Sequence, residues 1–175
     1  MSDFKKQVLT DWYEQYSDSL FKYICMMTRD YQEAQDLTQE TFIKAYNKYE
    51  FFEGRANVKT WLFSIAHNVT VDFLRKRKPL RMIEVLFQAM KDHSPLPEDI
   101  IEMNDSIREL YKALGNMKAS YREVIILRKI KEFSIQETSQ ILNWPESKVK
   151  ITLHRALPVL EQQLKKEGFV YDKTQ

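Results

Sequence analysis

Residues 34–49, AQDLTQETFIKAYNKY, wound at about 100° per residue, gather Ala34, Leu37, Phe42, Ala45, Tyr46 and Tyr49 into one wide apolar arc. Asp36, Glu40, Ile43 and Asn47 are left on the opposite side, so the pattern predicts an amphipathic helix with a carboxylate-flanked isoleucine facing outward. Residues 59–78, KTWLFSIAHNVTVDFLRKRK, show the same period: Leu62, Ile65, Ala66, Val69 and Phe73 form one face, and Trp61, Ser64, Asn68 and Arg75 line the other. In residues 146–164 the apolar arc is Val149, Leu153, Ala156, Leu157, Leu160 and Leu164, with Ser147, Lys148, Ile151, His154 and Arg155 on the far side.

Helix boundaries in the second half of the chain are marked by side-chain chemistry. Ser120 with Glu123, and Ser134 with Glu137, each have the Ser-x-x-Glu spacing of a capping box, predicting helices at about 121–132 and 135–142. Asn143 tolerates a left-handed backbone and Pro145 suits the first turn of a new helix, so the outline is a helix-turn-helix. Pro158 removes the hydrogen bond to the His154 carbonyl, which predicts a kink or a restart within the last helix.

Three glycines and five prolines are too few for the tight turns of a β-rich chain of 175 residues, and 43% hydrophobic residues suffice for globular cores. The expected fold is therefore all-α. Pro79, Pro95 and Pro97 cluster between KRK at 76–78 and PEDI at 97–100, which predicts a linker over 79–96 carrying one short helix at Met82 to Lys91. Two small helical domains follow, residues 1–78 and 97–175, the second being the helix-turn-helix.

The net charge of +2 hides a pattern. Residues 1–53 carry a balance of −4, 54–81 of +6, 82–118 of −3 and 119–175 of +3. Two basic zones separated by acidic ones suggest two anion-facing surfaces and acidic surface suited to a protein partner.

One cysteine, Cys25, cannot form an internal disulfide, and neither a signal peptide nor an apolar run near 20 residues is present, so a cytosolic, soluble protein is expected. No phosphate-binding glycine loop, His-Glu-x-x-His pair or nucleophile motif occurs, and His67, His93 and His154 lack metal-ligand spacing. These features predict no enzyme activity, no metal and no cofactor.

Nucleic acid fits better. Aromatic faces stack unpaired bases at about 1–3 kcal/mol each and amides read exposed base edges, as Trp61 and Asn68 could do beside the cationic run Arg75 to Lys78. A recognition helix reads the major groove with its N-terminal residues, and Ile151 could contact a thymine methyl there.

The order AQDLTQETFIKAY (34–46), FEG (52–54), KTWLFSIAHNVTVDFLRK (59–76) and a late helix-turn-helix ending in VKITLHRAL (149–157) resembles bacterial RNA polymerase sigma factors, in the extracytoplasmic-function (ECF) group of the sigma-70 family. The resemblance implies a factor that binds core polymerase, directs initiation at promoters and helps open the DNA. It implies polymerase docking through Asp36, Gln39, Glu40, Ile43 and Asn47. It implies minus-10 recognition and melting through the loop EFFEGRAN (50–57) and the helix that follows, with Gly54, Arg55, Lys59, Trp61, Ser64, Asn68, Arg75, Lys76 and Arg77 as the contacts. It implies minus-35 recognition through Ser147, Lys148, Lys150, Ile151, His154 and Arg155. Core RNA polymerase, double-stranded and melted promoter DNA, and an anti-sigma factor, often membrane-linked in this group, are the implied partners.

The sequence departs from the family pattern at Asn143, where glycine is frequent, at Ser147 and Lys148, where a Gly-Thr pair is frequent, and at Pro158. The two promoter elements lie roughly 60 Å apart, and the 18 residues from 79 to 96 reach that far only when extended, so the linker is expected to extend in the polymerase complex. The alternative is a helix-turn-helix repressor acting without polymerase, which predicts a dimer on palindromic operators.

Overall fold

Local signals position most of the helices. The computed structural model describes residues 2–88, 105–166 and 168, with backbone alone for residues 78–88. Helix α1 (Ser2–Thr28) ends at Arg29, whose φ of 60° turns the chain. Asp30 then caps α2 (Tyr31–Lys48) by accepting from the Glu33 amide at 3.1 Å. A 3₁₀ turn (Tyr49–Phe51) and the loop at Gly54 lead to Asn57, whose side chain accepts from the Thr60 amide at 2.7 Å at the start of α3 (Val58–Gln88).

After residues 89–104, which lie outside the described residues, come α4 (Asp105–Gly115) and α5 (Ala119–Ile125). A π-helical turn at Ile126–Ile130 prolongs α5, the Phe133 amide reaching back to the Leu127 carbonyl at 2.9 Å. Then follow α6 (Ile135–Leu142) and α7 (Glu146–Lys166). The described residues contain helices and turns and no strand, and the fold is all-α.

The first half packs α1, α2 and α3 around Leu20, Ile24, Ala34, Ala45, Leu62 and Ala66, all with no exposed surface. In the second half α7 packs against α4, α5 and α6, burying Val149, Ala156 and Leu164. The two halves are not independent: α6 lies on α3, and α4 and α5 touch α1. Tyr23 and Phe63, both fully buried, belong to the same hydrophobic cluster as Phe133 and Leu127.

Ser134 and Glu137 form the expected reciprocal cap, at 3.0 and 2.8 Å, and Asn143 adopts φ 53°, ψ 47° at the turn. Ser120 and Glu123 do not. Helix α5 starts at Ala119 with Lys118 as its N-cap and no side-chain cap, because Glu123 is engaged by the other half of the molecule. The expected short helix at Met82 to Lys91 is not separate either: α3 continues through Pro79 to Gln88, while 89–91 lie outside the described residues. Proline lacks an N–H, but the continuous helix shows that the chain absorbs that loss here. Likewise α7 passes Pro158 without restarting. Leu157, expected in the core, is 37% exposed, since it lies at the edge of an arc already filled by Leu153, Ala156 and Leu160.

Candidate polymerase and nucleic-acid interfaces

Helix α2 buries Ala34, Leu37, Thr38, Thr41, Phe42 and Ala45, and this fixes its outward ridge. Asp36, Gln39, Glu40, Ile43 and Asn47 are all exposed on that ridge, Ile43 at 62%. Glu40 pairs with Lys44 at 3.3 Å and Asp36 accepts from Gln32 at 3.3 Å, so both carboxylates are held yet remain at the surface. Beside Ile43 runs a groove of about 500 Å³ between α1 and α2, lined by Leu9, Tyr13, Phe42 and Tyr46. Tyr13 was not singled out from sequence, and its only local signal is an aromatic ring 46% exposed on an otherwise irregular helix pattern.

The nine minus-10 candidates divide. Gly54, Arg55, Asn68, Arg75 and Lys76 are exposed. Gly54 has φ 67° with open space where a Cβ would stand, Arg55 pairs with Glu53 at 2.7 Å, and Arg75 pairs with Asp72. The other four are partly buried and already engaged. Trp61 packs between Trp12 and Phe52, with ring centroids at 6.0 and 4.8 Å. Ser64 donates its hydroxyl to the Trp61 carbonyl at 2.6 Å. Arg77 reaches Asp30 at 3.3 Å and lies over Phe73. Lys59 places its ammonium 5.3 Å from the Phe133 ring centroid, a residue of the second half. Phe51, 79% exposed near Gly54, lies in the loop EFFEGRAN that the family resemblance assigns to the minus-10 element.

On α7 the structure brings together all six minus-35 candidates. Ser147, Lys148, Lys150, Ile151, His154 and Arg155 are exposed, while Val149 and Ala156 anchor the helix from behind. A neighbouring groove of about 480 Å³ is lined by Lys118, Ser120, Tyr121, Trp144, Ser147, Lys148, Ile151, Thr152 and Arg155, with no carboxylate among them. Lys148 sits 4.1 Å over the Trp144 ring, a contact that restrains its long side chain. Lys118, Tyr121 and Trp144 were not foreseen, because they come from separate elements that only the packing of α5 against α7 assembles. The surface is cationic, apolar at one point and carried at the N-terminal end of an anchored helix, which is what a major-groove reader requires.

Comparison with known proteins supplies the decisive observation. The Sigma-70 region 2 profile matches residues 12–79 and the Sigma-70 region 4 profile matches residues 107–157. The chain belongs to the sigma-70 family, in its ECF group. It is similar to the ECF RNA polymerase sigma factor SigX of Bacillus subtilis (strain 168), 39% identical over 157 residues that cover 87% of this chain and 81% of SigX. SigW of the same organism is 31% identical over 159 residues, covering 86% and 85%. Among solved structures, the sigma factor RpoE from Bartonella quintana, crystallised with the anti-sigma factor NepR, matches with a TM-score of 0.70 at 26% identity over 94% of this chain and 98% of that one.

As a sigma factor, the protein binds RNA polymerase and directs promoter-specific initiation of transcription. The repressor alternative is not favoured. No helix among the described residues is long and apolar enough to cross a membrane, and no group of three or more His, Cys, Asp or Glu side chains among them is placed to hold a metal ion.

Proposed function

We propose that this sigma factor divides its work between residues 1–78, which dock on polymerase and open the minus-10 element, and residues 97–175, which read the minus-35 element, with 79–96 joining them. Asp36, Gln39, Glu40, Ile43 and Asn47 form the docking ridge, where an exposed apolar side chain supplies contact area and the carboxylates select a basic partner. Asn68, with Gly54, Arg55, Arg75 and Lys76, faces the melted strand. Lys59, Trp61, Ser64 and Arg77 support that surface from partly buried positions. Ser147, Lys148, Lys150, Ile151, His154 and Arg155 face the upstream duplex.

The chain does no chemistry of its own in this scheme. Contacts to polymerase and both elements offset the unstacking of minus-10 bases, a few kcal/mol per step, so that opened DNA is captured. It acts in the cytoplasm, and an anti-sigma factor is among its partners, a reading supported by the complex in which the Bartonella quintana relative was solved.

The observation that carries the proposal is the α7 surface, where every residue expected to meet DNA is exposed and the helix is anchored behind them. Run-off transcription with core polymerase tests it. Lys148→Ala should weaken promoter binding and flatten its salt dependence by roughly one unit of slope, whereas Asn68→Ala should slow opening at unchanged initial binding. Variants with wild-type opening and binding would refute these assignments.

A further inference from the structure

Three separate elements close the groove of about 480 Å³ beside the N-terminal end of α7. The start of α5 supplies Lys118, Ser120 and Tyr121, the turn before α7 supplies Trp144, and α7 itself supplies Lys148 and Arg155. None of the ion pairs among the described residues uses Lys118, Lys148 or Arg155. Three cations thus line one concavity that no carboxylate lines, and a concave surface concentrates their field.

The two lysines are seated alike. Lys118 holds its ammonium 4.6 Å from the Tyr121 ring centroid and Lys148 holds its own 4.1 Å from the Trp144 centroid. Both rings line the groove, and both pack against the hydrophobic core. Trp144 is fixed further by its backbone, whose amide donates to the Ser139 carbonyl at 3.1 Å and whose carbonyl accepts from the Ser139 hydroxyl. A lysine that pins an anion loses rotamer freedom, and one already seated on a ring has less left to lose.

A phosphodiester suits this chemistry. Its unesterified oxygens accept from ammonium, guanidinium and hydroxyl groups together, and lysine meets it as a compact charge. Ile151 belongs both to the exposed face of α7 and to the groove lining, so a strand whose bases face Ile151 carries its backbone along this edge.

We infer that the groove clamps one phosphate of the upstream duplex between Lys118 of α5 and Lys148 of α7, with Tyr121 and Trp144 as positioning residues that hold the two ammonium groups. The clamp rests on the proposed minus-35 reading of α7 and deepens it, by fixing the register in which the α7 side chains meet base edges. Lys118 lies outside the helix-turn-helix, and Lys148 is one of the positions at which the chain departs from the family pattern.

The test uses holoenzyme assembled from core polymerase and the full chain, on a promoter fragment that it transcribes, with single phosphates of the upstream duplex replaced in turn by neutral methylphosphonates. One replacement should weaken wild-type binding about tenfold but Lys118→Ala or Lys148→Ala binding less than about threefold, since half of the clamp is already gone. Each variant should lose a similar amount on promoters of different upstream sequence, because a phosphate carries no base identity. Lys118 makes no side-chain cap bond, so Lys118→Ala should keep the wild-type thermal midpoint. Trp144→Leu should lose sensitivity at the same phosphate as Lys148→Ala, and Trp144→Phe, which keeps a ring, should restore it. A merely structural role for Trp144 would lower affinity without erasing that sensitivity.

Lys118→Ala that keeps the full penalty at every phosphate, or lysine variants that lose sensitivity at different phosphates, would overturn the clamp. Weaker assembly of the lysine variants with core polymerase in the absence of DNA would make the groove a protein dock and overturn it as well. In these cases the α7 reading stands so long as Ile151→Ala still changes upstream sequence preference. If neither Ile151→Ala nor any upstream methylphosphonate alters binding, that reading falls and the clamp falls with it.

Discussion

Tyr23 and Glu123 stand 100 residues apart in sequence and share a hydrogen bond of 2.5 Å in the interior, hydroxyl to carboxylate. Removing one partner of a buried charged acceptor costs more than the bond itself contributes, because the remaining group is left desolvated. Tyr23→Phe should therefore lower unfolding stability by about 1–3 kcal/mol. Adding Glu123→Gln should recover part of the loss, since a neutral amide tolerates the missing donor better. Denaturant titration of the double-mutant cycle checks this, and strict additivity would show that the two side chains are not coupled.

Arg122, 6% exposed, donates to the carbonyls of Leu114 (2.8 Å), Met117 (2.9 Å) and Gly115 (3.3 Å) as well as Met27 (2.8 Å). One planar guanidinium thus closes the end of α4 and ties it to α1. Arg122→Met should cost on the order of 3 kcal/mol or more by leaving several buried carbonyls unsatisfied. Arg122→Lys should recover little, since an ammonium cannot reproduce the fork. Chemical denaturation of the three proteins reads both outcomes.

The two Ser-x-x-Glu segments make a matched pair. Ser134→Ala removes a formed cap and should cost about 1 kcal/mol, whereas Ser120→Ala, at a position with no cap bond, should be near neutral. Comparing thermal midpoints of the two variants decides it, and equal losses would contradict the observed caps.

Trp61→Ala should reduce stability by about 2–3 kcal/mol because the ring fills a cluster with Trp12 and Phe52. Asn68→Ala, at an exposed position, should leave the thermal midpoint unchanged. A transcription defect in the first variant therefore reports folding as well as the proposed DNA contact, and only the second tests that contact alone. Melting curves run beside transcription assays separate them.

Burial, followed by the charges of Lys22 and Lys59, lowers Lys131 to about 8, with Asp18 opposing. Unfolding would return Lys131 to its ordinary value near 10.5, so between these values the unfolded form binds more protons. The contribution of Lys131 to stability is present above about 10.5 and is lost as pH falls toward about 8. Denaturant titration should accordingly show a Lys131 contribution that makes wild type more stable at pH 9 than at pH 7.5, and this trend should shrink in Lys131→Met. Tyr23 acts in the opposite sense above its ordinary value of 10.0, which sets the upper end of the useful range.

What the sequence determined by itself is what short-range physics encodes. The buried faces Ala34–Leu37–Phe42–Ala45, Leu62–Ile65–Ala66–Val69 and Val149–Ala156–Leu164 follow from helical period, and the Ser134–Glu137 cap and the left-handed Asn143 involve groups within a few residues of each other. The exposed face of α7 is legible for the same reason, because a helix anchored on one side must present the other. The tertiary structure alone decided the partners of Glu123, the half-burial of Trp61, the engagement of Lys59 by Phe133 and the exposure of Leu157. A helical wheel specifies the direction of a side chain and not what waits there. Glu123 had two satisfying geometries open to it, a local cap and a distant hydroxyl with an imidazole, and the choice was made by a surface brought from a hundred residues away.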